Sequence, residues 1–215
     1  MAKIHKLIEV ANDDDEDEDD FIQLGAQDFR EGDDLDGLRA VARLARLVGG
    51  LTWFSAVGRP LTPGELRIAE DYVAGIGFAE ARIAGVETWL SAIEAAQAPD
   101  FEDDWWQAEE QMRRALLDEA LLVNDEHDLE VALQHVATRA GEVAHERAMK
   151  AAARHGVSDP ALLEVAAGAA STAAYQAALV LAADADAEHP FALKFKLFEM
   201  GRLPLGLVGG SFNLF

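Results

Sequence analysis

Glu142 and His145 are the residues whose types and spacing come closest to a chemical site. They form Glu-x-x-His, and side chains three residues apart on a helix lie on one side, where a carboxylate and an imidazole can bind one metal ion. Ferritin-like di-iron proteins use two such pairs and two further glutamates inside a four-helix bundle. This chain has the pair once, because no other histidine follows a glutamate by three residues.

The orientation of this pair argues against a buried metal site. The apolar face of the helix predicted over residues 125–155 consists of Leu129, Val136, Ala140 and Val143. At 100° per residue, Glu142 and His145 point away from that face, so we favour a solvated helix surface. The alternative is a metal-dependent helical enzyme in which Glu109 or Glu119 of the preceding helix completes the site.

No other pattern indicates catalysis. The chain lacks cysteine, which excludes thiol catalysis and thiolate metal sites. None of its serines lies in Gly-x-Ser-x-Gly, and its glycines match neither a P-loop nor a dinucleotide-binding motif. Among forty acids, adjacent carboxylates carry little information. We therefore predict no catalytic residue and no cofactor, and the sequence favours a non-enzymatic protein.

The charge of the chain is strongly negative and unevenly distributed. The formal net charge is −22, which disfavours nucleic-acid binding because duplex affinity depends on Lys and Arg at phosphates. A run of eight acids stands near the N-terminus: Asp13, Asp14, Asp15, Glu16, Asp17, Glu18, Asp19 and Asp20. Such a run repels itself, so we predict a largely disordered segment over residues 1–34. It is either a solubilising linker or a tail that contacts a basic protein.

Two further groups are candidates for partner binding. Arg39, Arg43 and Arg46 form a basic stripe opposite the apolar face of the first predicted helix. They could accept the acidic tail, bind an acidic partner or be solvated. Trp105 and Trp106 are adjacent, so on a helix they point about 100° apart. We expect one to enter the core and the other to lie at its edge, where it could anchor an interface.

The periodicity of the chain predicts an all-α domain over residues 35–215, with seven or eight helices in a bundle-like arrangement. Thr62, Pro63 and Glu65 form a capping box that begins one of them. Short helices are expected near 78–84 and 86–97, and longer ones near 101–123, 125–155 and 160–184. Residues 191–200 also alternate like a strand, but the flanking Pro190 and Gly201 favour a helix.

The last fifteen residues, 201–215, are apolar, rich in glycine and almost uncharged. Pro204, Gly206, Gly209 and Gly210 prevent a helix there. Burial of each large apolar side chain is worth about 1.5–3 kcal/mol, so we expect an extended tail docked on the helical core. The alternative is a tail that docks on a second copy, as in a structural subunit of a homo-oligomer.

These patterns together favour a cytoplasmic, non-enzymatic protein that binds a basic partner protein through its acidic surface. An adaptor, a chaperone-like factor or an immunity-type protein would have these properties. The N-terminus has a short apolar stretch followed by acids, so we expect it to be a poor signal peptide. The longest weakly polar run, within 160–184, is mostly alanine and is expected to be a packed helix, so we predict no membrane association.

Overall fold

Seven α-helices and three short strands make up the residues that the structure, a computed structural model, describes: 36–98, 103–154, 156–157 and 159–215. They belong to one compact unit, Leu35–Phe215. The helices are α1 (Asp36–Val48), α2 (Pro63–Gly75), α3 (Trp89–Ala96), α4 (Asp103–Leu121), α5 (Glu126–Arg154), α6 (Pro160–Ala182) and α7 (Pro190–Glu199). The strands are β1 (Arg82–Gly85), β2 (Pro204–Val208) and β3 (Ser211–Leu214). The predicted acidic segment lies outside the described residues.

Local signals in the sequence determine where several helices begin. At the start of α2, the side chain of Thr62 accepts a hydrogen bond from the backbone N–H of Glu65, and the Glu65 carboxylate accepts one from the N–H of Thr62. This is the predicted capping box, with Pro63 at the first helical position. Thr88 caps α3 through the N–H of Ser91. For most helices, the observed first and last residues lie within a few residues of the predicted ones.

The antiparallel pair α5 and α6 forms the centre of the helical core. Alanines on both helices are buried, which lets the two backbones approach closely, and the hydroxyl of Ser171 donates to the carbonyl of Ala137 at 2.8 Å. Helix α1 packs on this pair through Leu38, Val41 and Val48. The prediction of one apolar face on α1 is confirmed.

Helix α6 is also long and apolar enough, over Leu162–Ala182, to cross a membrane, judged by length and composition alone. The core helix of a soluble protein meets the same two criteria, and 61% of this window is buried inside the fold. The interpretation of this alanine-rich segment as a packed helix is confirmed.

The three strands form one small sheet in the order β1-β3-β2. Strand β3 pairs in parallel with β1 and antiparallel with β2, and the hairpin turn between β2 and β3 is Gly209-Gly210, both with positive φ. Two positive φ values are what a two-residue turn of type I′ requires, and glycine adopts them without strain. One face of the sheet packs on α2 and α7 through Phe212, Leu207 and Leu214.

The sheet corrects three predictions from the sequence. The described residues are mostly helical, as predicted, but they are not all-α. The short helix expected near 78–84 is wrong, because residues 82–85 form β1. The C-terminal residues form a hairpin rather than an extended tail, and most of their apolar side chains are buried within the same chain. The choice of a helix over a strand near residues 191–200 is confirmed, because residues 190–199 are helical, with Phe191, Phe195 and Phe198 buried.

Candidate functional site

The turn between α4 and α5 exposes three consecutive apolar side chains. Leu121 is 38% exposed, Leu122 84% and Val123 67%. Single exposed leucines are common on soluble proteins, but a contiguous apolar surface is typical of an interaction site. In the described part of the chain, no other three consecutive large apolar residues are exposed.

Hydrogen bonds hold this turn in a defined conformation. The N–H of Leu122 donates to the carbonyl of Glu119 at 3.1 Å, and the N–H of Val123 to that of Ala120 at 3.3 Å. The amide of Asn124 donates to the carbonyls of Ala120 and Ala182, both at 2.8 Å. The turn is thus attached to the end of α6, and its apolar side chains project from a fixed backbone.

Carboxylates surround the apolar residues of the turn. Those next to it in the sequence, all exposed, are Asp118, Glu119, Asp125, Glu126 and Asp128. Residues 115–138 and 155–193 contain no Lys or Arg, so no cation of these segments balances the acids. We name Leu121, Leu122 and Val123 with these five acids the acidic turn surface. Along the chain, the apolar residues lie in the middle and the acids, which we call its charged rim, lie on both sides.

The tryptophans lie elsewhere on α4. Trp105 is buried, with its ring 5.5 Å from the Lys194 ammonium, and Trp106 is 48% exposed, so the predicted division between core and edge is confirmed. Trp106 precedes Leu121 by fifteen residues, which separates them by about 22 Å along the helix at 1.5 Å per residue. The structure therefore does not bring Trp106 to the acidic turn surface.

The predicted basic stripe is exposed on α1, where Arg39, Arg43 and Arg46 lie opposite the buried face. The acids Asp13–Asp20, the other predicted partner-binding group, lie outside the described residues. Partner binding by either group stays a prediction.

The Glu-x-x-His pair lies on the outer side of α5. Glu142 is exposed and forms an ion pair with Arg139 at 3.5 Å, and His145 is partly exposed. In the described part of the chain, no group of three or more His, Asp or Glu side chains is placed to bind a metal ion. Glu109, proposed as a further ligand, is buried and bound to Lys194.

Arg202, the one charged residue of the C-terminal segment, is buried, and all five of its N–H groups are hydrogen-bonded. Its Nε and Nη2 donate to the Glu65 carboxylate at 2.7 and 3.0 Å. Its Nη1 donates to the carbonyls of Ala56 and Arg59, both at 2.7 Å, and its Nη2 to that of Pro60 at 2.8 Å. This network is satisfied and closed to solvent, so its role is structural.

The Glu65 carboxylate remains ionised although it is buried. Burial alone would raise its pKa, but hydrogen bonds from Arg202 and from Thr62 outweigh that effect and lower the pKa below 4.5. One carboxylate therefore both caps α2 and pairs with the segment before β2.

A second buried network links three helices. The Glu109 carboxylate accepts hydrogen bonds from the hydroxyl of Tyr72 at 2.5 Å and from the ammonium of Lys194 at 2.6 Å. Burial, reinforced by the negative charge of Glu109, raises the pKa of Tyr72 well above its usual 10.0, so the phenol stays protonated. The pairing of Glu65 with Arg202 and of Glu109 with Lys194 could not be predicted from the sequence, because forty acids offer too many possible pairs.

No family model, no curated protein and no solved structure matches this chain.

Proposed function

We propose that this chain is a non-enzymatic protein that binds a basic partner protein, and that the acidic turn surface is where the partner docks. The observation that carries the proposal is the exposure of Leu122 and Val123 at the centre of a surface segment without Lys or Arg. A cytoplasmic adaptor, chaperone-like factor or immunity-type protein is the kind of function we propose, acting without a cofactor.

The two components of the surface supply different parts of binding. Opposite charges accelerate encounter and select basic partners, and their effect weakens as salt screens them. Apolar side chains at the centre of an interface supply much of the affinity once water is excluded. A partner that matches this surface presents apolar side chains surrounded by Lys and Arg.

The proposal is tested by capture of proteins from native lysate at about 0.03 and about 0.5 M salt. We compare the natural chain with a Leu122→Ser/Val123→Ser variant and with Leu47→Ser as the matched control, since Leu47 is 59% exposed but lies next to Arg46. We expect a basic partner whose affinity falls about tenfold or more in the double variant and is unchanged in the control.

A second pair of variants tests the charged rim. Asp118→Asn/Glu119→Gln removes two adjacent exposed acids at the surface, and Glu70→Gln/Asp71→Asn removes two on α2. We expect slower association for the first pair only. Equal changes in the association rate for the two pairs of variants would contradict the proposal. Binding that changes neither with salt nor in Leu122→Ser/Val123→Ser would contradict it as well.

A further inference from the structure

A basic cleft lies between the loop that follows α1 and the last turns of α5. It has a volume of about 150 Å³, and its polar wall consists of Thr52, Ser55, Arg147, Lys150 and Arg154. The proposed function does not use this cleft. Three cations at one cleft contrast with the net charge of −22 for the whole chain.

The cations share one side of α5. Arg147, Lys150 and Arg154 stand at positions i, i+3 and i+7, which places them on one face of the helix, and all three are exposed at the cleft. Lys150 forms an ion pair with Glu146. Neither Arg147 nor Arg154 has an ion pair within the described part of the chain, so the cleft retains an excess of about two positive charges at neutral pH.

The opposite wall is a tight loop that contains Thr52 and Ser55. The N–H of Ser55 donates to the carbonyl of Thr52 at 3.0 Å, and their hydroxyls lie 3.3 Å apart. Phe54, between them, has a φ of 59°, a conformation that costs a non-glycine residue about 1–3 kcal/mol. The tight loop thus holds a strained residue beside the cleft.

Two contacts fix this loop from behind. The N–H of Ala56 donates to the carbonyl of Gly201 at 3.0 Å, and the indole of Trp53 donates to the carbonyl of Val48 at 3.1 Å. A Cβ at Gly201 would collide with the hydroxyl of Ser55, so only glycine allows this approach. The hydroxyls are positioned before any ligand arrives, which reduces the entropy cost of binding.

We propose that the cleft binds a phosphate group, either as free inorganic phosphate or as the phosphate of a small phosphomonoester. Two guanidinium groups offer paired N–H donors that match phosphate oxygens, and Lys150 adds a point charge. The excess of about two positive charges fits a dianion better than a single carboxylate. Thr52 supplies a neutral hydroxyl from the other wall, and Ser55 donates its own hydroxyl to that of Thr52.

Helix stabilisation explains only part of this cluster. Arg154 lies in the last turn of α5, where a cation interacts favourably with the helix dipole, and Lys150 pairs with Glu146 four residues before it. Arg147 lies two turns before the end of the helix, where the dipole effect is small. The hydroxyls of Thr52 and Ser55 have no part in either effect.

The test is calorimetric titration of the full chain with inorganic phosphate and, separately, with glycerol phosphate, at ionic strength held constant with chloride. The variant Arg147→Gln/Arg154→Gln removes two cations of the cleft. The control Arg67→Gln/Lys196→Gln removes two exposed cations from α2 and α7 and so changes the net charge equally. Thr52→Val removes one hydroxyl with no change in charge.

We expect the natural chain to bind at least one of the two probes. Its Kd should rise about tenfold or more in Arg147→Gln/Arg154→Gln, rise also in Thr52→Val, and change less than about twofold in the control. Tighter binding of glycerol phosphate would identify a phosphomonoester as the ligand, and tighter binding of inorganic phosphate would identify the free anion. Absence of binding by both probes, or an equal loss in the control, would overturn the proposal.

Discussion

The guanidinium group of Arg202 joins parts of the chain that are far apart in the sequence. It connects the segment before β2 with the start of α2 and with the carbonyls of the loop at 56–60. A lysine would keep the charge, but its three N–H donors are on a single atom. They cannot reproduce the planar arrangement of the five N–H donors of arginine. The planar shape of the Arg202 side chain therefore contributes to this network as much as its charge does.

We expect Arg202→Lys to lower the free energy of unfolding by at least about 2 kcal/mol, since it leaves buried carbonyls without donors and weakens the pair with Glu65. Urea denaturation of the purified protein measures this. Arg82→Lys is the control, because Arg82 is exposed and makes one long hydrogen bond of 3.4 Å to Ser211. A loss for Arg202→Lys no larger than for Arg82→Lys would show that the five-bond network is not important for stability.

His189 makes the stability of the protein depend on pH. Its Nδ1 accepts a hydrogen bond from the N–H of Phe191 at 3.1 Å and so caps α7. Burial lowers the pKa of His189 below its usual 6.5, although the negative charge of Glu119 partly opposes this. The folded state thus favours the neutral ring, so its contribution is complete above pH 6.5 and is lost as the pH falls through the lowered pKa.

We expect His189→Asn to weaken the fall in stability between about pH 7 and about pH 5, since asparagine can cap the helix without titrating. Thermal unfolding across this range measures the effect, with the exposed His135→Asn as the control. If the slopes of the natural chain and of His189→Asn coincide, another group causes the pH dependence.

At the scale of elements, one carboxylate connects α2, α4 and α7. Glu109 on α4 accepts from Tyr72 on α2 and from Lys194 on α7, and all three side chains are buried. Replacement of Glu109 or Lys194 alone leaves the other buried charge without its partner, which costs about 3–5 kcal/mol in other proteins. The stability effects of substitutions at Glu109 and Lys194 should therefore not be additive.

We expect Lys194→Met to destabilise the fold by about 3 kcal/mol or more, and Lys194→Met/Glu109→Gln to be more stable than Lys194→Met alone. Glutamine keeps an acceptor for Tyr72 and removes the unpaired charge. A double-mutant cycle by chemical denaturation gives the coupling energy. Additive costs of the two substitutions would mean that the ion pair contributes little.

The helices could be predicted from the sequence because their determinants are local. The capping box at Thr62 and the apolar face of α1 both lie within a few turns of chain. Strand β1 could not be predicted from the sequence, because its four residues pair with Ser211–Leu214, and nothing near residue 82 indicates that partner. The buried networks and the cleft could not be predicted for the same reason, because their members are far apart in the sequence. The fold brings Thr52 and Arg147 together at the cleft, and Glu65 and Arg202 together in a buried network.

At the scale of the whole molecule, charge is segregated rather than mixed. The segments 115–138 and 155–193 have no Lys or Arg, and three cations stand together at the end of α5. The sequence alone shows the segments without cations, but only the fold places Arg147, Lys150 and Arg154 beside Thr52. We propose that the acidic segment binds a basic protein and that the cleft binds a small anion.

The position of β3 also affects how the protein is made. This strand lies at the middle of the sheet, and Phe215 exchanges backbone hydrogen bonds with Leu203 at 2.7 and 2.9 Å. A nascent chain translated only as far as residue 208 has both outer strands but no strand between them. Its helices can form during synthesis, but the sheet cannot close until the ribosome has released β3 from its exit tunnel. Until then, the faces of α2 and α7 that pack on Phe212 in the folded protein lack this cover.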